Sequence, residues 1–459
     1  MARAAWYKLD NIGKFYSAQA GSNAQTVFRV SAEMKDEIDP DLLQQALDAT
    51  IQTFPGFNVA LRSGLFWHYL VQLSEPPRVE LETLPVCFPL HFSQASVLMR
   101  VNYFDRRINL EVSHIISDGR GTLEFFKALI GSYASIRYGV SDAVEVYRGT
   151  EAEKTEDSYA KNYERRESAG ADGVKAYRLT GWKNAADPTF MEYHLAADEV
   201  LAKARAMNVS LTSLLIAAVI CAIRKEMPTT ERDKAINIDV PVDLRRFFGS
   251  STMRNFFGLA FVEYTPHDLD EPLEEIAHQV QAELSTRTEP HAIKQRMNRM
   301  IKLEKNPVLR VAPLFLKDLV LGIAARIANR NVTTTFSSIG KITLPDSLSP
   351  YVKGISVLTT TSGLNFVACT YGNDLSIGVT TIFTRHSVVR QFVQELSDLG
   401  LHGYMNINKD AAGIDADLKQ AQFEDRLLKA SENLLSDRTS DKKSPHDKGS
   451  MGTEERPSA

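Results

Sequence analysis

The chain is predicted to be an α/β or α+β protein of two similar halves followed by a polar tail. Three observations carry this. Runs of period-two apolar alternation, at 107–114 and 236–244, interleave with runs of helical spacing in both halves. A polar stretch at 141–188, charged over 151–167, separates the halves as a linker or excursion. After residue 408 apolar residues thin out, and beyond 436 the composition has too little to bury and reads as disordered.

The first half begins with a strand-like run at 26–30. Asp39-Pro40 then starts a helix, because an Asp side chain accepts from free first-turn N–H groups and proline needs no N–H there. Leu42, Leu43, Ala46, Leu47, Ala49 and Ile51 keep helical spacing until Pro55-Gly56 ends it. A second strand-like run covers 57–73. At 107–114 Ile108, Leu110 and Val112 alternate with Asn109, Glu111 and Ser113, and a glycine-containing turn at 117–121 leads into a helix over 122–138.

In the second half helices are predicted at 198–207 and 211–225, the latter apolar almost all round and therefore buried. Strands follow at 236–244, 256–264, 332–337, 355–360, 365–371 and 375–382. The last two are joined by Gly372-Asn373-Asp374, a hairpin turn. Helices fill 273–303, 308–329 and 387–399. In the tail Ile414, Leu418, Ala421, Leu427 and Leu428 fit one face of a short amphipathic helix.

Composition narrows the function. With 53 basic and 57 acidic residues the net charge is -4, which argues against a polybasic nucleic-acid surface. Cys87, Cys221 and Cys369 lie far apart with no C-x-x-C pair, so neither a zinc site nor a disulfide framework is expected. A reducing, cytoplasmic setting fits. The first ten residues lack the apolar core of a signal peptide. The most apolar run, 313–328, contains Lys317, Asp318 and Arg326 and is too short to span a bilayer.

The chemistry is expected at His114. The segment Ser113-His-Ile-Ile-Ser-Asp-Gly119 carries H-x-x-x-D-G where a strand gives way to a helix. His114 stays in phase with Ile108, Leu110 and Val112 and so faces the apolar side. It is either a general base or a buried histidine, with Asp118 merely capping the helix. Arg245 lies in phase with Asp239 and Asp243, opposite the aliphatic residues of its strand. It pairs either with a remote carboxylate such as Asp118, locally with Asp243, or with solvent. Thr335-Phe-Ser-Ser-Ile-Gly340 places hydroxyls at a strand end, as oxyanion donors or as ordinary turn residues.

Taken in order, Ser113-His-Ile-Ile-Ser-Asp-Gly119, Val240-Pro-Val-Asp-Leu-Arg245, Arg254-Asn-Phe-Phe-Gly258 and Ser337-Ser-Ile-Gly340 resemble the CoA-dependent acyltransferase superfamily. That superfamily takes in chloramphenicol acetyltransferase, the plant HxxxDG acyltransferases, alcohol acetyltransferases and the condensation domains of peptide synthetases. The chain looks most similar to the alcohol-acetyltransferase-like group, over roughly residues 5–405.

The resemblance implies two chloramphenicol-acetyltransferase-like lobes, 1–170 and 171–407, with a tunnel and active site at their interface and 408–459 as a tail. It implies an acyl-CoA donor, a hydroxyl or amine acceptor, and His114 as general base. Nothing in the motif sets a nucleophilic Ser or Cys beside a base, so direct transfer in a ternary complex is expected. By the same resemblance Asp118 pairs with Arg245, Gly119 lets the turn pass close to the tunnel, and Ser337, Ser338 and Asn255 contact the oxyanion or substrate. No permanently bound cofactor, metal, nucleic acid or transmembrane segment is implied. Ser113 stands where condensation domains carry their first histidine, a departure that leaves transfer from a carrier-protein thioester as the second, less expected reading. A degenerate fold acting as a binding module is the non-enzymatic alternative. The helix over 308–329 is expected as tunnel wall or core.

Overall fold

The computed structural model describes residues 5–20, 26–91, 93–142, 149–164, 175–266, 270–305 and 312–409. The helix and disorder expected in the tail lie outside them. Met1–Asn408 forms one compact unit.

The first half contains β1 (Trp6–Lys8), α1 (Asn11–Ser17), β2 (Val27–Met34), α2 (Pro40–Thr53), β3 (Val59–Ser63), β4 (His68–Gln72), β5 (Glu80–Leu81), β6 (Met99–Phe104), β7 (Arg107–Ser113) and α3 (Gly119–Tyr138). The Asp39 side chain accepts from the Asp41 and Leu42 amides, so α2 starts as its sequence predicts. Ile108, Leu110 and Val112 of β7 are fully buried in a core shared with α2 and α3. The run at 57–73 is two strands, not one. Gly64 makes the turn, where an added Cβ would lie 2.8 Å from the Trp67 carbonyl oxygen.

The linker stretch holds two short helices, α4 (Glu151–Lys154) and α5 (Ser158–Asn162). Their Lys154 and Tyr159 are buried, so this polar segment contributes to the interior. The second half continues with β8 (Thr189–Ala196), α6 (Ala197–Ala206), α7 (Leu211–Glu226), β9 (Ile236–Asp243), α8 (Arg245–Phe248), β10 (Phe257–Tyr264), α9 (Leu273–Arg287), α10 (Pro290–Glu304), α11 (Leu314–Ala328), β11 (Thr334–Ile342), β12 (Val352–Thr359), β13 (Leu364–Tyr371), β14 (Asp374–Thr381), α12 (Ser387–Asp398) and β15 (Gly403–Ile407).

Helix α7 is buried from Ser213 through Arg224, as its all-round apolarity predicts. Each large aliphatic side chain buried there contributes about 1.5–3 kcal/mol relative to exposure. The single helix expected at 273–303 is two, α9 and α10. Pro290 biases the residue before it away from helical geometry, and α10 starts at the proline. Arg245 opens the one-turn helix α8 instead of extending β9. Helix α11 turns Phe315, Leu319 and Ile323 outward, so that row is not core. Among the described residues no single helix is long and apolar enough to cross a membrane.

Three sheets result, ordered β1-β4-β3, β12-β2-β7-β6-β5 and β10-β9-β11-β13-β14-β8-β15. Strand β12 comes from the second half but pairs antiparallel with β2, so the five-stranded sheet draws on both halves. It also runs against β14. A Cβ at Gly378 would lie 2.0 Å from the Val357 carbonyl oxygen, and only glycine permits that approach.

Candidate active site

His114 follows the last residue of β7, and its amide donates to the Thr26 carbonyl at 3.0 Å. The ring is half-buried among aromatic neighbours. Tyr16 stacks on it at 5.0 Å between centroids, with Phe28 at 4.6 Å and Phe257 at 6.2 Å. Burial holds its pKa below the ordinary histidine value, against the opposing pull of Asn255 and the Asp118 charge. The imidazole is therefore neutral at neutral pH.

Asn255 sets which nitrogen is free. Its Nδ2 lies 2.9 Å from the His114 carbonyl and 3.1 Å from Asp10 Oδ2, both acceptors, so this end is the NH2. Its Oδ1 then faces His114 Nδ1 at 3.4 Å. An amide oxygen only accepts, so Nδ1 carries the hydrogen and Nε2 keeps its lone pair. Asn255 thus holds the histidine with its amide oxygen and uses its NH2 within the protein; in this arrangement it is not an oxyanion donor.

Asp10 completes that chain of contacts. Its Oδ1 accepts from Gly13 N at 2.6 Å as the cap of α1, and its Oδ2 accepts from Asn255 N at 3.2 Å. Burial pushes this carboxyl up to about 7, against those donors and the nearby Arg254 charge. Arg254 donates to the Ile116 carbonyl at 3.2 Å and lies 5.3 Å over the Tyr7 ring. Sequence reasoning quoted Arg254 only as part of a motif and passed over Asp10. The signal was an Asp three positions before Gly13, a helix-capping pattern.

The turn after His114 is anchored by Asp118. Its carboxylate caps α3 by accepting from Gly121 N at 2.9 Å, and it accepts from Phe256 N at 2.8 Å. Arg245 meets it with Nη1 and Nη2, each 3.0 Å from a different oxygen. Arg245 also donates to Asp243 and to the Thr252 and Arg254 carbonyls, which uses all its donors. Burial pulls its pKa down, but the two carboxylates outweigh that and hold it above the ordinary arginine value. Both arginine pairings open from the sequence, remote and local, are present together.

Gly119 runs against β11, where an added Cβ would lie 2.9 Å from Ile339 Cδ1. Gly121 is tighter, with an added Cβ 2.2 Å from the Met253 carbonyl oxygen. Ser337 and Ser338 diverge. Thr212 of α7 donates to the Ser338 hydroxyl at 3.4 Å, so Ser338 faces the helix. Ser337 shares the opposite face of β11 with Thr335, which pairs with Asp239 of β9. Tyr159, from the stretch read as a linker, accepts from Phe257 N at 2.9 Å and donates to Phe257 O at 2.6 Å. No sequence signal marked it.

A cavity of about 260 Å³ opens beside the ion pair, lined by Arg120, Glu124, Arg246 and Thr252 among others, but not by His114. Its walls mix both charges. Cys87, Cys221 and Cys369 are free and buried. Among the described residues no cluster of His, Cys, Asp or Glu is placed to hold a metal.

Residues 195–327 match the family model described as the C-terminus of phthiocerol/phthiodiolone dimycocerosyl transferase. A comparison with curated proteins finds no match. Solved structures do. Polyketide synthase associated protein 5 from Mycobacterium tuberculosis is 13% identical with a TM-score of 0.56, covering 84% of this chain and 97% of its own. TRI101 of F. graminearum, complexed with coenzyme A and T-2 mycotoxin, is 12% identical with a TM-score of 0.60, covering 87% and 100%. The first condensation domain of the CDA synthetase is 13% identical with a TM-score of 0.55, covering 86% and 95%. At these identities the likeness establishes the fold. In fold the chain is similar to the condensation-domain and chloramphenicol-acetyltransferase-like acyltransferases, the superfamily its motifs resemble.

Proposed function

We propose that this chain transfers an acyl group from acyl-CoA to a hydroxyl or amine acceptor, with His114 as general base. The observation that carries the reading is the contact of Asn255 Oδ1 with His114 Nδ1, which leaves Nε2 unprotonated. Burial keeps the ring neutral, as a base must be.

Nε2 takes the proton as the acceptor oxygen or nitrogen attacks the thioester carbonyl. The tetrahedral adduct then collapses, the carbon–sulfur bond breaks, and the leaving thiolate collects a proton. The ring's aromatic neighbours are Tyr16, Phe28 and Phe257; the phenylalanines carry no nucleophile and burial holds the Tyr16 phenol above its ordinary pKa and un-ionised, which supports direct transfer over an acyl-enzyme. Ser337, on the interior face of β11, is the hydroxyl best placed to assist the oxyanion; Asp118, Gly119 and Arg245 hold the turn. No resident cofactor enters this scheme, and the reading fits a reducing, cytoplasmic setting for three free thiols.

Incubation of purified protein with acyl-CoAs from acetyl to palmitoyl, each with alcohols and amines, is expected to release free thiol. His114→Ala is expected to abolish it. Full activity in that variant, or no thiol release from any pair, defeats the reading. The likeness to a condensation domain favours one second reading, a carrier-protein thioester as donor. A carrier-loaded donor that outcompetes acyl-CoA would select it, and CoA binding without turnover would mark a binding module. An alcohol-acetyltransferase-like specificity predicts acetyl-CoA with an alcohol as the best pair.

A further inference from the structure

The seven-stranded sheet has two unlike faces. Ile236, Ile238 and Val240 of β9 and Ala260 and Val262 of β10 pack into the core around α7. The alternate positions form a half-buried interior row. Asp239 pairs with Phe261 across one ladder and with Thr335 across the other, so all three share that face. Phe257, beside His114, lies on the same face.

Asp239 is the anomaly of this row. Its Oδ1 is fully buried and has no hydrogen-bond partner among the described residues. Burial alone pushes its carboxyl up to about 7, with no cation to offset it. One carboxylate oxygen buried without a partner on a half-buried side chain costs stability, and a donor arriving from outside would relieve that cost. Its charge is felt by Tyr16, the residue stacked on His114, which brings Asp239 near the histidine.

We propose that Asp239 is an acceptor-recognition residue, taking the protonated amine of a substrate whose acylated atom lies at His114. This rests on the acyl-transfer reading above. A hydroxyl could meet one lone pair, but only a cation supplies both hydrogen bonds and the missing charge. The rings of Phe261 and Tyr16 offer a cation further favourable faces. From Phe257 to Phe261 is four residues of strand, about 13 Å. The amine is therefore a handle distinct from the nucleophile, and the acceptor is a chain or ring system bearing both, separated by a span on the order of that 13 Å.

The test is calorimetric binding of a series of α,ω-amino alcohols and the matched alkanediols at pH 8, where amine and Asp239 are both charged. Wild type is expected to bind amino alcohols at least about tenfold more tightly than the diols, a ratio that suits one charged hydrogen-bonded contact. The ratio is expected to fall towards one in Asp239→Asn and, in wild type, below pH 6. His114→Ala is expected to keep the ratio while losing thiol release. A wild-type ratio near one, or a ratio unchanged in Asp239→Asn, overturns the proposal without recourse to turnover. A preserved ratio with no thiol release from any donor would instead sink the acyl-transfer reading and leave the amine site standing.

Discussion

Arg245 grips Asp118 through two nitrogens, each 3.0 Å from a different carboxylate oxygen, across 127 residues of sequence. The pair joins the turn that presents His114 to the strand-end of β9. Removing one partner costs the other its two-pronged contact: Arg245 is left with Asp243 and two carbonyls, and Asp118 with two backbone amides. Asp118→Ala and Arg245→Ala are each expected to cost about 3–5 kcal/mol in urea unfolding. The double variant is expected to cost clearly less than the sum, and additive costs would show the pair is not coupled. Arg245→Lys cannot reproduce the two-pronged contact and is expected to rescue little.

With His114 as the proposed base, the acid limb of activity is expected to follow its ring. Burial lowers its pKa, so kcat/KM for thiol release should fall on the acid side with a midpoint below 6.5. The Asn255 contact works the other way and raises it. Asn255→Ala is therefore expected to move the midpoint further down, and to lower kcat about tenfold or more as the ring loses its orientation. A midpoint that rises in this variant would contradict the assignment of Asn255 as the histidine's positioning residue.

Gly119 and Gly121 separate by what stands opposite them. An alanine at Gly121 would drive its Cβ to 2.2 Å from the Met253 carbonyl oxygen, which is backbone and cannot swing aside. At Gly119 the obstacle is the tip of the Ile339 side chain at 2.9 Å. Gly121→Ala is expected to lose about 3 kcal/mol or more despite alanine's better helix propensity. Gly119→Ala should lose clearly less. Thermal unfolding of both variants decides it, and equal losses would be the wrong answer.

Stability should also depend on Asp239. Its carboxyl titrates near 7 when folded, against 3.8 for the free side chain. A raised folded pKa means the protonated form is favoured by folding. That contribution is complete below about pH 4 and is lost as pH rises through 7. Asp239→Asn removes the cost of the buried charge, so its Tm should exceed wild type at pH 8.5, by a few degrees, and match it near pH 4. Asp10 titrates in the same window and with the same sign, so a shallower slope persists in the variant. A gap that is as wide at pH 4 as at 8.5 would rule out the charge as its cause.

Much of this architecture is legible because its signals are local. The alternation of Ile108, Leu110 and Val112, the Asp39-Pro40 cap and the apolar girth of α7 each need only a few neighbouring residues to declare themselves. Errors arose where a local signal was absent or outvoted. Lys154 and Tyr159 are buried inside a stretch whose composition is that of a linker, and Tyr159 is held there by the backbone of Phe257, 98 residues away. Arg245 follows the alternation of β9, yet its guanidinium's partners at 118, 243, 252 and 254 fit a one-turn helix instead.

Spacing and residue type were thus enough to determine that strands and helices interleave, that His114 sits where a strand meets a helix, and that Asp118 and Arg245 were available to each other. The tertiary structure alone decided that Asn255 orients the imidazole, that Asp10 braces Asn255, that β12 crosses to the other sheet, and that Asp239 Oδ1 is buried without a partner among the described residues. Helical and strand periods are carried by neighbours in the chain, whereas these contacts join residues as far apart as Phe28 and Thr359 and exist only once the whole core has packed.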